Sequence, residues 1–371
     1  MLFSHFNLGN IELSNRLAMA PMTRSRASLD GALNDDIVRY YQQRATAGLI
    51  ITEGAPISKV GRGYAFTPGI YNQEQIDGWK KVTDAVHAEG GKIFIQLWHV
   101  GRVTHPSITG GEQALAPSAI KGLNKGYGPL EEGGYGFVDQ EVPRAMTKQD
   151  IINTQNDFVQ AAKNAMEAGF DGVELHSANT YLFEQFMLNS ANQRTDEYGG
   201  SQENRVRFLV ETVSAVAQAI GEDKVGFRLS PYLVIDDPDV DPEMPSLALK
   251  ALEQLSQLKL AYVHFSEHVA TWRPVPSSFR RQVREIWPNP VIVAGRHSKE
   301  SAQDILEQGY ADVVAFGEYY ISNPDLVYRF KENLALNQND RSTYYGGDAK
   351  GLVDYPIVDP KVKHLAVNDL C

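Results

Sequence analysis

Short apolar runs rich in β-branched residues recur along the chain, and an amphipathic stretch follows each of them. The runs are Arg16–Pro21 (RLAMAP), Gly48–Glu53 (GLIITE), Lys92–His99 (KIFIQLWH), Gly172–Ser177 (GVELHS), Lys224–Pro231 (KVGFRLSP), Leu260–Glu267 (LAYVHFSE), Pro290–Gly295 (PVIVAG) and Ala311–Glu318 (ADVVAFGE). Near-continuous apolar character predicts parallel strands covered by helices. About eight such strands suit an α/β fold of the (β/α)8 TIM-barrel type. Helical patterns lie between them. One runs over Thr147–Ala168, with Thr147 as N-cap and Gly169 as stop. A second spans Ser201–Ile220 and ends at Gly221; a third spans Ser298–Gln308 and ends at Gly309. Residues 1–15 read as a β-hairpin with Gly9-Asn10 at its turn. Residues 101–146, after the third strand, are rich in Gly and Pro and lack strong periodicity, which predicts a capping insertion. A doubly wound open sheet would need a Gly-rich turn after its first strand. The sequence there, MTRSRASLDG, has none, so the barrel is the preferred architecture.

Composition narrows the function. Hydrophobic residues make up 43% of the 371 and charged residues 22%, an ordinary globular balance. A formal charge of −11 argues against nucleic-acid partners but leaves room for a local basic pocket. The single cysteine, Cys371, excludes an intrachain disulfide, a Cys-based zinc site and a Cys-ligated iron–sulfur cluster. The N-terminus lacks the basic and apolar regions of a secretory signal. No apolar run reaches the ~20 residues of a membrane span. A cytoplasmic protein with no membrane partner is expected.

Barrel active sites form at the C-terminal ends of the strands. The runs deliver Pro21, Met22 and Thr23, then Glu53 and Gly54, then Gln96, Trp98 and His99, then His176, Asn179 and Tyr181, then Arg228, then Gly295 and Arg296, then Phe316, Gly317 and Glu318. Each has a bland alternative: Gln96 bonding a neighbouring strand, Trp98 in the core, Arg228 in a structural ion pair. Their joint placement on one rim carries the functional reading. No metal motif and no G-x-S-x-G elbow occurs, and no lysine sits at the rim end of a strand run. After the last two strands, VAGRHSKES and AFGEYYISNPD place Gly295 and Gly317 before helices opening near Ser298 and near Ser322 or Asn323. This is the usual phosphate corner of barrel enzymes. Alternatively, the glycines serve only tight turns that need positive φ.

Taken together, these residues resemble Old Yellow Enzyme, the FMN-dependent ene-reductases that include N-ethylmaleimide and pentaerythritol tetranitrate reductases. The resemblance covers nearly the whole chain. It rests on NRLAMAPMTRSRA (Asn15–Ala27), FIQLWHVGR (Phe94–Arg102), HSANTYLFEQF (His176–Phe186), NQRTDEYGGSQENRVRF (Asn192–Phe208), FRLSP (Phe227–Pro231), ISNPDL (Ile321–Leu326) and YYGG…DYP (Tyr344–Pro356). It implies one FMN-binding barrel domain over residues 1–371, a monomer or homodimer, with NADPH or NADH as electron donor. Thr23 would bond flavin O4, and Pro21, Met22 and Gly54 would line the ring. Gln96 would bond the pyrimidine edge, and Arg228 would lie against N1 and C2=O. Gly295, Arg296, Phe316, Gly317 and Glu318 would surround the phosphate end. His176 and Asn179 would bond the carbonyl or nitro oxygen of an activated alkene. The flavin N5 hydride would attack the β-carbon, and Tyr181 would protonate the α-carbon. Tyr64, Trp98 and Tyr345 would wall the substrate space.

Two positions depart from the pattern. Thr180 stands where the family usually has Gly, which narrows the backbone options before Tyr181. Glu318 stands where the family usually has a phosphate-binding Arg. The resemblance therefore leaves two readings: an ene-reductase whose phosphate is held either by Arg296 in place of the missing guanidinium or by the backbone N–H groups at positions 295, 296, 317 and 318 alone, or a flavin-poor barrel with reduced or lost activity.

Overall fold

Eight parallel strands close into a barrel in the computed structural model, which describes residues 1–232, 242–267 and 275–367. Cys371 lies outside the described residues. The barrel strands are β1 (Leu17–Met19), β2 (Leu49–Pro56), β3 (Ile93–Trp98), β4 (Gly172–His176), β5 (Val225–Leu229), β6 (Tyr262–Ser266), β7 (Val291–Ala294) and β8 (Val313–Phe316). Each pairs with the next in sequence, and β8 pairs with β1. Every residue of these strands is buried, which is why the runs are apolar throughout rather than alternating.

The amino-terminal hairpin pairs Phe6–Leu8 with Ile11–Leu13. Leu8 and Leu13 pack against Leu49, Phe94, Tyr262 and Val313, residues at or near the starts of their strands. The hairpin therefore plugs the N-terminal mouth and leaves the C-terminal mouth for chemistry.

The helix between β3 and β4 spans Lys148–Glu167, with a capping box between Thr147 and Asp150. The next long helix spans Gln202–Ile220 with Ser201 as N-cap, and the helix after β7 spans Lys299–Glu307 with Ser298 as N-cap. After β8 the sequence reading needs correction. The helix opens at once, at Glu318, and runs to Ser322; a second covers Leu326–Glu332. Asn323 does not start a helix, because its side chain is committed elsewhere. Its Nδ2 donates to the Tyr319 carbonyl at 2.9 Å, and its Oδ1 accepts the Asn337 N–H at 2.7 Å.

Segment 101–146 holds a short helix, Pro106–Thr109, and two small ribbons. Gly126–Pro129 pairs antiparallel with Tyr135–Val138, and Leu115–Ala116 pairs with Arg144–Ala145. A bridge between Tyr64 and Tyr127 ties the first ribbon to the barrel rim. Among the described residues, no helix is long and apolar enough to cross a membrane.

Candidate active site

The loop after β1 is held from below. Glu53, on β2, accepts the backbone N–H groups of Arg24 and Ser25 at 3.0 and 3.3 Å. This fixes the chain just beyond Thr23. Arg24 and Arg26 then reach out to backbone carbonyls of Thr343, Tyr344, Asp348, Lys350 and Gly351. The TRSRA motif thus supports both Thr23 and the segment that carries Tyr345.

Glu53 is buried, and burial pushes its carboxyl up to about 7, against the opposing N–H donors and the charges of Arg24 and Arg26. A raised acid favours the protonated native state. Its contribution is largest below the ordinary value of 4.5, falls as pH rises, and levels off above about 7. Both N–H groups bond one oxygen, Oε2, so Glu53→Gln keeps an acceptor for them. We expect unfolding midpoints of this variant and the wild type to lie close at pH ~5 and to separate in the variant's favour at pH ~8. A separation independent of pH contradicts this.

A buried polar layer lies across the barrel mouth. Gln96 Nε2 donates to Glu174 at 2.7 Å, and His264 Nδ1 bonds the other Glu174 oxygen at 2.8 Å. Glu174 and His264 are fully buried. Burial alone would raise the Glu174 carboxyl, but His264, Arg228 and Gln96 together hold it below its ordinary value. Arg228 is buried beside it, and its Nε has no hydrogen-bond partner among the described residues. Glu174 and His264 were missed by the sequence reading. Glu174 turns Gln96 and offsets the Arg228 charge.

His176, Asn179 and Tyr181 follow β4. His176 is buried, and its pKa is driven well below the usual value, by burial first and then by Arg228 and His264. The ring is therefore neutral. Its Nδ1 accepts the Ala178 N–H at 3.4 Å, which leaves Nε2–H as a donor for a ligand. Asn179 is held at φ 60°. Burial and neighbouring Tyr64 keep the Tyr181 phenol protonated well above its ordinary range. Tyr181 donates to the Tyr64 hydroxyl at 3.3 Å. Trp98 stacks on Tyr64 at 5.4 Å and meets the Tyr181 ring edge-on at 4.9 Å. A Cβ on Gly54 would fall 2.6 Å from the Trp98 ring, so glycine is what lets the indole lie there.

Two adjoining cavities occupy the C-terminal mouth. The smaller, about 100 Å³, is lined by Pro21, Thr23, Gly54, Gln96, Trp98, His176, Asn179, Tyr181 and Arg228. The larger, about 580 Å³, shares Pro21 and Arg228 and extends past Met22, Phe316 and Gly317 to Gly295, Arg296 and Glu318. Tyr64 and Tyr345 line neither cavity. Tyr345 is two-thirds exposed.

At the far end of the larger cavity, Glu318 accepts hydrogen bonds from Tyr344 at 2.8 Å and from Arg341 and Asn339 at 3.2 Å. The Tyr344 and Arg341 bonds hold its carboxyl below the ordinary value. It does not lie as a bare carboxylate beside a phosphate. Arg341 lines the same cavity and was missed by the sequence reading. Gly317 has φ −95°, and Gly295 is not among the positive-φ residues, so neither is required by a left-handed turn. A Cβ on Gly317 would make only ordinary contacts with Met22, at 3.4 Å, and Ala20, at 4.0 Å. What such a side chain would fill is the cavity itself.

These features fit a flavin mononucleotide. The cavity holds about 580 Å³, arginines and glycine backbone border it, and the buried Arg228 that lines it has an Nε unpartnered among the described residues. They define a nucleotide-cofactor site at the mouth of a TIM barrel. Comparison with known proteins agrees. Residues 1–337 match the NADH:flavin oxidoreductase / NADH oxidase family. The chain is 41% identical to 12-oxophytodienoate reductase 7 of Oryza sativa subsp. japonica, over 96% of this chain and 94% of that protein. It superposes on morphinone reductase in complex with tetrahydroNAD with TM-score 0.92 and 44% identity, covering 97% of this chain and 98% of that one. For the Old Yellow Enzyme homologue from Zymomonas mobilis the values are 0.90 and 37%, over 96% and 99%. The chain belongs to this family, the Old Yellow Enzyme group, and is an FMN-dependent oxidoreductase that uses NAD(P)H.

Proposed function

We propose that the enzyme reduces the activated C=C bond of α,β-unsaturated carbonyl or nitro compounds. The observation that carries this reading is the convergence of a neutral His176 donor, the Asn179 amide and a protonated Tyr181 phenol on one small cavity. His176 Nε2–H and Asn179 Nδ2–H bind the carbonyl or nitro oxygen and draw electron density from the alkene. FMN, when bound, would supply hydride chemistry toward the β-carbon. Tyr181 gives its phenolic proton to the α-carbon as general acid. Thr23, Gln96 and Arg228 hold the cofactor's polar edge, with Glu174 fixing the Gln96 amide. Trp98 and Tyr64 position Tyr181 and exclude water. Relatives named as reductases of 12-oxophytodienoate and of morphinone support a small organic acceptor. We read residues 1–371 as one FMN-binding domain with 101–146 as its cap. An anaerobic screen of enones, enals and nitro-olefins with NADPH tests the activity. Conversion to saturated products is expected; a protein that consumes NADPH only with oxygen contradicts it.

The bonds that Glu318 accepts favour the flavin-loaded enzyme over a flavin-poor barrel. Arg296 borders the cavity between Gly295 and Glu318, and we assign it to the phosphate. Arg296→Ala is expected to weaken FMN binding by about 1.5–3 kcal/mol, roughly 10–150-fold. Riboflavin, which lacks the phosphate, is expected to bind the variant and the wild type alike. An FMN titration of Arg296→Ala that matches wild type removes Arg296 from the site.

A further inference from the structure

Thr180, the departure beside the catalytic turn, sits in left-handed backbone at φ 66°, directly after Asn179 at φ 60°. L-residues avoid that region, and β-branched ones avoid it most. Three bonds hold Thr180 there. Its N–H donates to the Glu184 carboxylate. Its carbonyl accepts from Gln185 Nε2 at 2.8 Å. Its Oγ1 accepts from Asn124 Nδ2 at 2.6 Å. Glycine could make neither the Oγ1 bond nor any other side-chain contact here.

The same carboxylate reaches Asn179. Buried Ser230 donates its hydroxyl to Glu184 and accepts the Asn179 N–H at 2.8 Å. Glu184 is itself buried. On the other side, Asn124 belongs to the capping insertion. Its carbonyl accepts from Gln140 Nε2, and Gln140 Oε1 accepts the Gly122 N–H at 3.0 Å. A continuous chain of hydrogen bonds therefore runs from the cap, through Thr180 and Glu184, to the turn that presents Asn179 and Tyr181.

We infer that Asn124, Thr180 and Glu184 form a latch by which the capping insertion positions the substrate-binding turn. They are positioning residues; none of them lines the small cavity. The inference rests on the reading that Asn179 and Tyr181 receive the substrate. With the latch closed, the cap segment around 122–124 stays against the rim. An acceptor that must push this segment aside has to break the Asn124–Thr180 bond.

Three variants of the FMN-loaded enzyme test the latch. Asn124→Ala and Thr180→Gly remove it; Thr180→Ser keeps the hydroxyl. Thr180→Gly also relieves the left-handed strain, so its thermal midpoint should equal or exceed that of wild type. Two readouts are used: amide hydrogen exchange over residues 120–128, and titration with p-hydroxybenzaldehyde followed by its long-wavelength absorbance. We expect several-fold faster exchange and roughly 3–10-fold weaker ligand binding in Asn124→Ala and Thr180→Gly, with Thr180→Ser like wild type in both. Unchanged exchange in Asn124→Ala overturns the latch. Faster exchange with unchanged affinity overturns the positioning role. If wild type binds no phenol, the proposed function fails, and the exchange comparison still decides whether the latch exists.

Discussion

Tyr181→Phe is expected to slow reoxidation of the reduced enzyme by an enone by roughly 10²–10⁴-fold, the usual worth of a positioned general acid. Reduction by NADPH should stay near the wild-type rate. The split follows from what Tyr181 touches. Its ring packs edge-on against Trp98 and His176, each at 4.9 Å, and removing one oxygen leaves that packing in place. Its hydroxyl donates to Tyr64 at 3.3 Å, a bond easily exchanged for one to substrate. Burial keeps the phenol protonated far above neutral pH, so the proton is present at every working pH. Nitro-olefins should suffer less than enones, because a nitronate survives until solvent protonates it. Stopped-flow traces of the two half-reactions decide the matter. Equal slowing of both would make Tyr181 a structural residue.

The second large effect is the loss of the oxygen-binding pair. Phenols are expected to bind as phenolates across His176 and Asn179, giving a long-wavelength charge-transfer band. Each charge-assisted bond is worth about 1.5–3 kcal/mol, so His176→Ala combined with Asn179→Gly should weaken binding roughly 10²–10⁴-fold. Glycine is the cleaner replacement for Asn179, whose φ of 60° an alanine would resist. Charge supports the assignment of donors. Burial, Arg228 and His264 keep His176 neutral, so a hydrogen bond rather than a full cation meets the phenolate. A double variant whose charge-transfer titration matches wild type would remove both residues from the site.

The barrel was legible because a parallel sheet buries both faces of every strand, which writes an unbroken apolar run into the chain. The capped helices were legible because Thr147, Ser201 and Ser298 do cap them. Most rim residues could be read from their place at strand ends. Glu174 and His264 could have been found by a further step. Residues two apart on a strand share a face, so Glu174 belongs with His176, and His264 sits level with Arg228 across β5 and β6. A buried carboxylate on the inward face needs donors, and Gln96, His264 and Arg228 are those in reach. The Glu318 cluster was not legible. Its partners lie 21 to 26 residues downstream in an irregular segment, and no periodicity announces where such a segment folds back. Asn323 misled for a local reason: a residue type that caps helices can equally bond backbone within a turn.

If His176, Asn179 and Tyr181 form the face that receives an activated alkene, the reduced enzyme must pass its electrons to one. The most direct measurement is anaerobic mixing of NADPH-reduced enzyme with 2-cyclohexenone, followed by the flavin absorbance and by analysis of the product. Return of the oxidised flavin spectrum is expected in step with formation of cyclohexanone, one equivalent per reduced site. A spectrum that stays bleached until oxygen is admitted, with the enone recovered unchanged, would contradict it.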